Sequence, residues 1–304
     1  MEEKQTQEKR KFSEKFSKVY DKYYKYLFII TIILILSSLF YLIYFYSQHN
    51  DIIYKDVTLS GGTSITIYEK TDIDNLKQAL LEKFPDINIR KISDLTTNKQ
   101  IAFIVETEAP VEEIKPALEE YLKYELTKEN SSIEFTGSSL GANFYKQLQI
   151  AIVIAFILMA LVVFIIFRTF IPSLAVVLSA FADIVMTLAL VNFLGLRIST
   201  AGVVAFLMLI GYSVDTDILL TTRLIKNKEG RLNSRLFNAF KTGITMTLTS
   251  IAAVLTALLI VSRLSQILTQ IFLILFIGLS FDLLNTWITN ASILKLYCEK
   301  KQID

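Results

Sequence analysis

Four carboxylates lie within long apolar stretches of this 304-residue chain: Asp183, Asp215, Asp217 and Asp282. A charged side chain at the centre of a bilayer costs about 2.5–3.5 kcal/mol on insertion scales, so each of them needs a partner or a function. Removal from water favours the neutral form of a carboxyl group, which is then able to take up and release a proton. No Lys or Arg lies within the same stretches. The residue types therefore indicate protonation chemistry, or pairing with a group from another chain.

The spacing of Asp215 and Asp217 separates their side chains. Residues two apart lie about 200° apart around a helix, so the two carboxylates face opposite sides. Asp215 shares its side with Gly211, where a neighbouring backbone can pack closely. We therefore expect Asp215 to be the buried functional group. Asp217 shares its side with Ser213 and is expected nearer water, where it either pairs with a Lys or Arg of residues 222–242 or joins the ion-coupling group.

Depth along the helices groups three of these carboxylates. At 1.5 Å per residue, Asp215 and Asp282 each lie about 12 Å from one end of their spans, and Asp183 lies near the middle of its own. If the helices pack together, the three form one polar layer. The alternative for each is a neutral acid that only forms hydrogen bonds between helices.

Polar side chains on two further spans are candidate partners of this layer. Thr245 and Thr249 lie on one helix face together with Thr242 and Thr256, and Asn285 and Thr289 follow Asp282. Hydroxyls of Ser and Thr also bond their own helix backbone, so the Thr face has a purely local alternative. If these side chains are partners of the polar layer, Thr245, Thr249 and Asn285 contact the carboxylates.

Six apolar runs are long enough to position these residues in a bilayer, which takes about 20 residues per helix. The first is too long for a signal-peptide core and has no cleavage site after it. The predicted spans are 26–47, 148–167, 171–194, 199–221, 243–262 and 267–290.

Lys and Arg are distributed unequally between the connections. Residues 1–25 hold eight and residues 222–242 hold six, whereas the connections 195–198 and 263–266 hold one each. Because positive charge marks the cytoplasmic side, we expect a basic cytoplasmic arm at 1–25, a cytoplasmic loop at 222–242 and a cytoplasmic tail at 295–304. The basic arm also suits contact with anionic lipids, and nucleic acid is not needed to explain it.

Residues 48–147 then form a domain outside the membrane, with 17 acidic and 11 basic residues. Its hydrophobic pattern predicts strands at 61–69, 87–93, 100–108 and 131–137, helices at 72–84 and 110–126, and a turn at 96–99. The order β-α-β-β-α-β is that of a ferredoxin-like domain. The predicted fold class is an α-helical polytopic membrane protein, with spans 2–6 in residues 148–294 and one extracytoplasmic α+β ferredoxin-like domain.

Enzyme chemistry is not indicated anywhere along the chain. The sequence has no active-site nucleophile with its base, no metal-ligand cluster and no phosphate-binding loop, so we expect neither a cofactor nor a metal. The single cysteine, Cys298, excludes a disulfide within the chain.

Three motifs resemble the SecF family, the smaller membrane subunits of the SecD–SecF protein-export complex in the resistance-nodulation-division superfamily. "GYSVDTDILLTTR" (211–223) is similar to the fourth-span motif of archaeal members. "DVTLSGGT" (56–63), with Asp56, Gly61 and Gly62, is similar to the start of the family's first extracytoplasmic domain, and "GSSLGANFYKQLQIA" (137–151) to the lead into the second span.

The resemblance implies an accessory subunit of the Sec translocase in the cell membrane. It implies a SecD-like partner, with the fourth spans of the two chains facing each other. The further partners that it implies are the Sec protein-conducting channel and a translocating polypeptide. It also implies that export is coupled to the proton gradient. Asp215 matches the key fourth-span Asp of SecD-type chains. Bacterial SecF chains carry their Asp at the position of Thr216 and an Arg at that of Thr245, so their pair is not reproduced.

Two other functions fit the same residues. One is half of a resistance-nodulation-division transporter for small molecules or lipids, although six spans and a domain of about 100 residues are small for such a permease. The other is a structural scaffold around the channel, in which the carboxylates only bond neighbouring helices. Co-purification with a SecD-like chain separates export from efflux.

Overall fold

The computed structural model describes residues 2–93, 99–226, 231–262 and 265–302, with side chains from residue 20 onward. Within these residues, six helical segments are long and apolar enough to cross a membrane, as the sequence predicted. They are α1 (Glu2–His49), α5 (Ser138–Phe167), α6 (Phe170–Phe193), α7 (Thr200–Ile225), α8 (Leu232–Val261) and the continuous segment Gln266–Lys301.

The sixth segment contains an irregular turn. It consists of α9 (Gln266–Leu284), a π-helical turn at Asn285–Asn290 and α10 (Ala291–Lys301). A π-helix forms i→i+5 hydrogen bonds, and single π-helical turns within α-helices are frequently found at functional sites. The turn lies next to α6 and α7.

The helices α6 and α7 lie at the centre of the bundle. Both are largely buried, whereas α1, α5 and α8 expose most of their apolar side chains. α7 packs against α5, α6, α8 and α9. Close packing of α7 on α9 depends on Gly278, where a Cβ would lie 2.4 Å from Leu209 Cδ2. The residues of α7 that face α6 and α9 are therefore removed from both water and lipid.

A small α+β domain follows α1. After the short helix α2 (Val57–Ser60), its elements are β1 (Gly62–Ile67), α3 (Ile73–Leu81), β2 (Asn88–Ser93), β3 (Gln100–Thr107), α4 (Val111–Leu122) and β4 (Ser131–Thr136). The four strands form one antiparallel sheet in the order β2-β3-β1-β4. The predicted turn at 96–99 falls mostly outside the described residues, and α2 was not predicted.

The domain has its own core. Ile65 pairs with Val105 across β1 and β3, and both side chains face α3 and α4. Leu76 of α3 and Ile114 of α4 lie fully buried against them. The alternation of apolar residues in the strands and their helical spacing in α3 and α4 therefore meet on one side of the sheet.

The two connections between domain and bundle cross in direct contact. Gly61 and Gly62 have φ of +87° and +121°, a conformation that other residues rarely adopt. A Cβ on Gly61 would lie 2.3 Å from Ser138 Cα, at the start of α5. Both glycines are therefore required by backbone geometry where the chain enters the sheet.

Several helices extend beyond the predicted spans. α5 begins at Ser138 rather than 148, α8 begins at Leu232 within the predicted loop 222–242, and α10 runs to Lys301 within the predicted tail. Polar ends of these helices project past the apolar stretch, because helical hydrogen bonding does not stop where hydropathy falls.

Candidate functional site: a buried carboxylate cluster

Three carboxylates from three helices lie together in the centre of the bundle. Asp183 of α6, Asp217 of α7 and Asp282 of α9 are all fully buried. None of the Lys and Arg residues that the structure describes forms an ion pair with any of them. We refer to these three residues as the carboxylate cluster.

Asp183 is held by one hydroxyl and one amide. Ser213 Oγ donates to Asp183 Oδ2 at 2.5 Å, and Asn285 Nδ2 donates to Asp183 Oδ1 at 2.7 Å. Ser213 lies on α7, one turn before Asp217, so both inward residues of α7 contribute to the cluster. Both oxygens of Asp183 are thus occupied by donors.

Asp217 and Asp282 share a donor. Thr286 Oγ1 lies 2.8 Å from Asp217 Oδ1 and 3.1 Å from Asp282 Oδ1, and Asn290 Nδ2 donates to Asp217 Oδ1 at 2.7 Å. A hydroxyl has one proton and donates to one acceptor at a time. Both contacts of Thr286 are hydrogen bonds only when one of the two carboxyls is protonated and donates to the hydroxyl oxygen. The geometry therefore fits a proton held between Asp217 and Asp282.

Unpaired oxygens point to the same conclusion. Asp217 Oδ2 and Asp282 Oδ2 are buried and have no hydrogen-bond partner among the described residues. Burying a charge without a partner is far more costly than burying a neutral, hydrogen-bonded acid. The arrangement is suited to taking up and releasing protons rather than to holding three permanent charges.

The π-helical turn positions three of the four neutral partners. Asn285, Thr286 and Asn290 lie on it and all are buried. In a π-helix residues five apart lie near the same face, so Asn285 and Asn290 both point inward. Asn285 then reaches Asp183 while Asn290 reaches Asp217. The turn therefore links α6 and α7 through one stretch of the sixth span.

The structure reverses the predicted burial of the two α7 carboxylates. Asp217 is buried in the cluster, whereas Asp215 is exposed on the surface of the chain. Gly211 and Tyr212 are exposed on the same face, and no described atom would lie within 4 Å of a Cβ on Gly211. The predicted close approach of a neighbouring backbone at Gly211 is therefore absent among the described residues. The placement of the two carboxylates on opposite faces of α7 was predicted correctly. The prediction of which face packs against α6 and α9 was wrong.

The hydroxyl face of α8 does not reach the cluster. Thr245 Oγ1 donates to the Lys241 carbonyl at 2.8 Å, and Thr249 Oγ1 to the Thr245 carbonyl at 2.9 Å. Both side chains are exposed, as are Thr242 and Thr256. These hydroxyls therefore bond the backbone of their own helix, which was the local alternative, because this face of α8 points away from α7 and α9.

Three partners of the cluster were not predicted as site residues: Ser213, Thr286 and Asn290. Ser213 had a usable signal, since it lies four residues before Asp217 on one helix face. The signal for Thr286 and Asn290 was the polar run within an otherwise apolar span. Asn285 was predicted as a polar partner of the carboxylates, and in the structure it donates to Asp183.

The predicted domain motif lies where the domain meets the bundle. Asp56 Oδ1 accepts from the Thr58 amide and caps α2, just before Gly61 and Gly62. Burial, and next the nearby charge of Glu106, raise the pKa of Asp56 to about 6. A cleft of about 380 Å³ opens beside it, lined by residues of α1, β3 and the α6–α7 connection.

Comparisons with known proteins agree on one family. The family described as "Protein export membrane protein SecD/SecF, C-terminal" matches residues 117–300. The protein-export membrane protein SecF of Methanocaldococcus jannaschii is 38% identical over 250 residues, covering 80% of this chain and 86% of that protein. SecF of Methanolacinia petrolearia is 48% identical over 173 residues, covering 56% of this chain and 61% of that protein.

A solved structure has the same fold. SecDF from Thermus thermophilus, a translocon-associated membrane protein, aligns with a TM-score of 0.73 at 18% identity. The alignment covers 91% of this chain but 38% of the SecDF chain. The likeness therefore concerns the fold of one part of a longer chain.

Proposed function

Because this chain belongs to the SecD/SecF family of protein-export membrane proteins, we propose that it acts as an accessory subunit of Sec-dependent protein translocation, driven by protonation of the carboxylate cluster. The family is one of export subunits rather than of enzymes. The observation that carries the proposal is the cluster itself: Asp183, Asp217 and Asp282 are buried together on three helices, with neutral donors and no basic partner among the described residues.

Proton uptake at this cluster has a structural consequence. A neutral Asp282 donates to Thr286, which in turn donates to Asp217. Loss of that proton leaves two carboxylates competing for one hydroxyl, and their repulsion favours separation of α7 from α9. Each cycle of protonation thus moves α7 against the sixth span. This coupling of proton flow to helix movement is the proposed use of the gradient.

The partner that we propose is a separate SecD-like chain. The SecDF structure contains a second, larger part without counterpart here, since this chain covers 38% of it. The exposed face of α7 with Gly211 and Asp215 is the surface that such a chain would cover. Asp215 then becomes buried in the complex and joins the ion-coupling group from the opposite side of α7.

The proposed arrangement in the cell membrane follows the distribution of basic residues. The termini and the 222–242 region lie in the cytoplasm, and the α+β domain, which we take as ferredoxin-like, lies outside. The domain then faces the polypeptide as it leaves the channel. The antiparallel sheet order and the element order β1-α3-β2-β3-α4-β4 support that fold assignment.

The test is an export assay in vesicles that contain this chain, its SecD-like partner and the Sec channel. We expect Asp217→Asn to abolish stimulation of export by the proton gradient while the complex still assembles. Asp74→Asn is the matched control, because Asp74 is an exposed carboxylate of the domain. Undiminished stimulation in the Asp217→Asn variant would refute the role of the cluster. Purification as a homo-oligomer without a SecD-like chain would argue for an efflux function instead.

A further inference from the structure

The connection between α6 and α7 is bonded to the chain segment that leads into the domain. Ile198 N donates to the Tyr54 carbonyl at 2.7 Å, and Asp56 N donates to the Ile198 carbonyl at 3.0 Å. Nearby, Thr200 N donates to Thr58 Oγ1 at 3.0 Å. These bonds fix the base of the domain to the first residues of α7.

The same connection is also fixed to α9. Gln270 Oε1 accepts from the Ser199 amide at 3.2 Å, and Gln270 Nε2 donates to the Arg197 carbonyl. Ser199 in turn caps α7 by accepting from the Gly202 amide at 3.3 Å. Arg197 thus stands directly before the helix that carries Asp217. Any shift of α7 along its axis moves the Arg197 backbone as well.

One ion pair joins the sheet to this connection. Arg197 Nη1 lies 3.3 Å from Glu106 Oε2, and among the described residues it is the ion pair that links the sheet to the membrane helices. Glu106 lies on β3 and its side chain is 1% exposed. The same carboxylate is bound by Arg90 and Asn88 of β2. Glu106 therefore keeps two partners within the domain if Arg197 withdraws.

The contact between sheet and connection at this ion pair is of a different kind from the contact at the base of the domain. At the base the chain is held by backbone hydrogen bonds, whereas the sheet meets the connection here through side chains. The cleft of about 380 Å³ lies beside Glu106 and Arg197, and the Arg197 side chain is 30% exposed. Water therefore reaches Arg197, whereas Glu106 is buried. Arg197 can withdraw into water while Glu106 stays paired with Arg90 and Asn88, so opening the pair leaves no buried charge without a partner.

We propose that the Arg197–Glu106 ion pair is a latch that holds the α+β domain against the membrane helices and opens when α7 moves. The domain then tilts about the crossing of Gly61 and Ser138, which stays fixed. This inference rests on the proposed function, because it assigns the carboxylate cluster a mechanical output. It makes Arg197 and Glu106 positioning residues for the movement of the domain.

The test measures the position of the domain directly. Spin labels at Gln48 of α1 and Glu113 of α4, both exposed, report the distance between helices and domain in the full chain, and Cys298 is buried. We expect Arg197→Gln to broaden the distance distribution toward longer values. Arg90→Gln is the matched control, since it removes an ion pair to the same carboxylate from within the domain and is expected to leave the distances unchanged. Arg197→Lys keeps the charge and is expected to restore them.

Two results would overturn the latch. One is an unchanged distance distribution in Arg197→Gln. The other is an equal change in Arg197→Gln and Arg90→Gln, which would mean that any positive charge beside Glu106 has the same effect and that Arg197 has no special role. If Arg197→Gln does not fold, Glu106→Gln removes the same link and must give the same broadening. The distance measurement does not depend on export activity. If the distances change as expected but the proton gradient does not stimulate export, the proposed function is refuted and the proposal of a latch stands.

Discussion

Replacing Asp56 with Asn is expected to stabilise the folded chain at neutral pH and to leave its stability near pH 4 almost unchanged. Burial and the charge of Glu106 raise the pKa of Asp56 from 3.8 to about 6, with Glu134 acting in the same direction and Arg90 against it. A raised folded-state pKa of an acid contributes stability below pH 3.8, and that contribution is lost as the pH rises through about 6.

The magnitude follows from the size of this difference. About two pKa units correspond to about 3 kcal/mol, the cost of keeping Asp56 charged in the folded chain above pH 6. Asn removes the charge and still caps α2, since Asn is among the preferred N-cap residues. The expected gain in unfolding temperature at pH 8 is on the order of 5 °C for a chain of this length.

The assay is thermal unfolding of the purified chain in detergent between pH 4 and pH 8, compared between variant and parent at each pH. Asp51→Asn is the matched control with the opposite sign. Burial acts against the charge of Asp51, but hydrogen bonds from Lys55 and Tyr145 hold the pKa of Asp51 below its ordinary value. Its removal should therefore destabilise the chain at pH 8. A difference between Asp56→Asn and the parent that does not change with pH would refute the reasoning.

Three further substitutions test the site and its surroundings. Thr286→Val removes the shared hydroxyl at nearly constant volume, which should lower the free energy of unfolding by about 1–3 kcal/mol and reduce gradient-stimulated export, measured in the same vesicles. Gly62→Ala places a Cβ 2.3 Å from the Thr107 carbonyl oxygen at a φ of +121°, so we expect severe loss of folded protein in a detergent melt, whereas Gly211→Ala should be neutral there. Asp215→Asn should leave the isolated chain as stable as the parent but reduce recovery of a SecD-like partner in a pull-down, and full recovery would exclude Asp215 from the interface.

Features that depend on neighbouring residues could be predicted from the sequence. The six membrane helices follow from runs of about 20 apolar residues, because a span buries its own backbone hydrogen bonds and needs only hydropathy and length. The strands and helices of the domain follow from alternation and helical spacing, and Ile65 of β1 and Leu76 of α3 are buried in one core. The α2 helix escaped prediction because four residues are too few for a periodic signal.

The pairing of distant residues could not be predicted in the same way. Asn285 bonds Asp183, 102 residues earlier in the chain, and the polar run at Asn285–Asn290 indicates neither a π-helical turn nor which helices it contacts. The Arg197–Glu106 pair is equally hidden, since neither residue lies in a recognisable motif. Such contacts depend on which helices are neighbours, and helix packing in membranes is decided by the shapes of small residues more than by composition.

The sequence by itself determined that carboxylates lie inside the membrane helices of this protein, and that Asp215 and Asp217 point to opposite sides of one helix, because hydropathy and the helical period are local properties. Only the tertiary structure decided that Asp217 is the one buried with Asp183 and Asp282 while Asp215 is exposed. Both faces of α7 carry the same chemical group, so the choice depends on where α6 and α9 pack, and that is a property of the whole bundle.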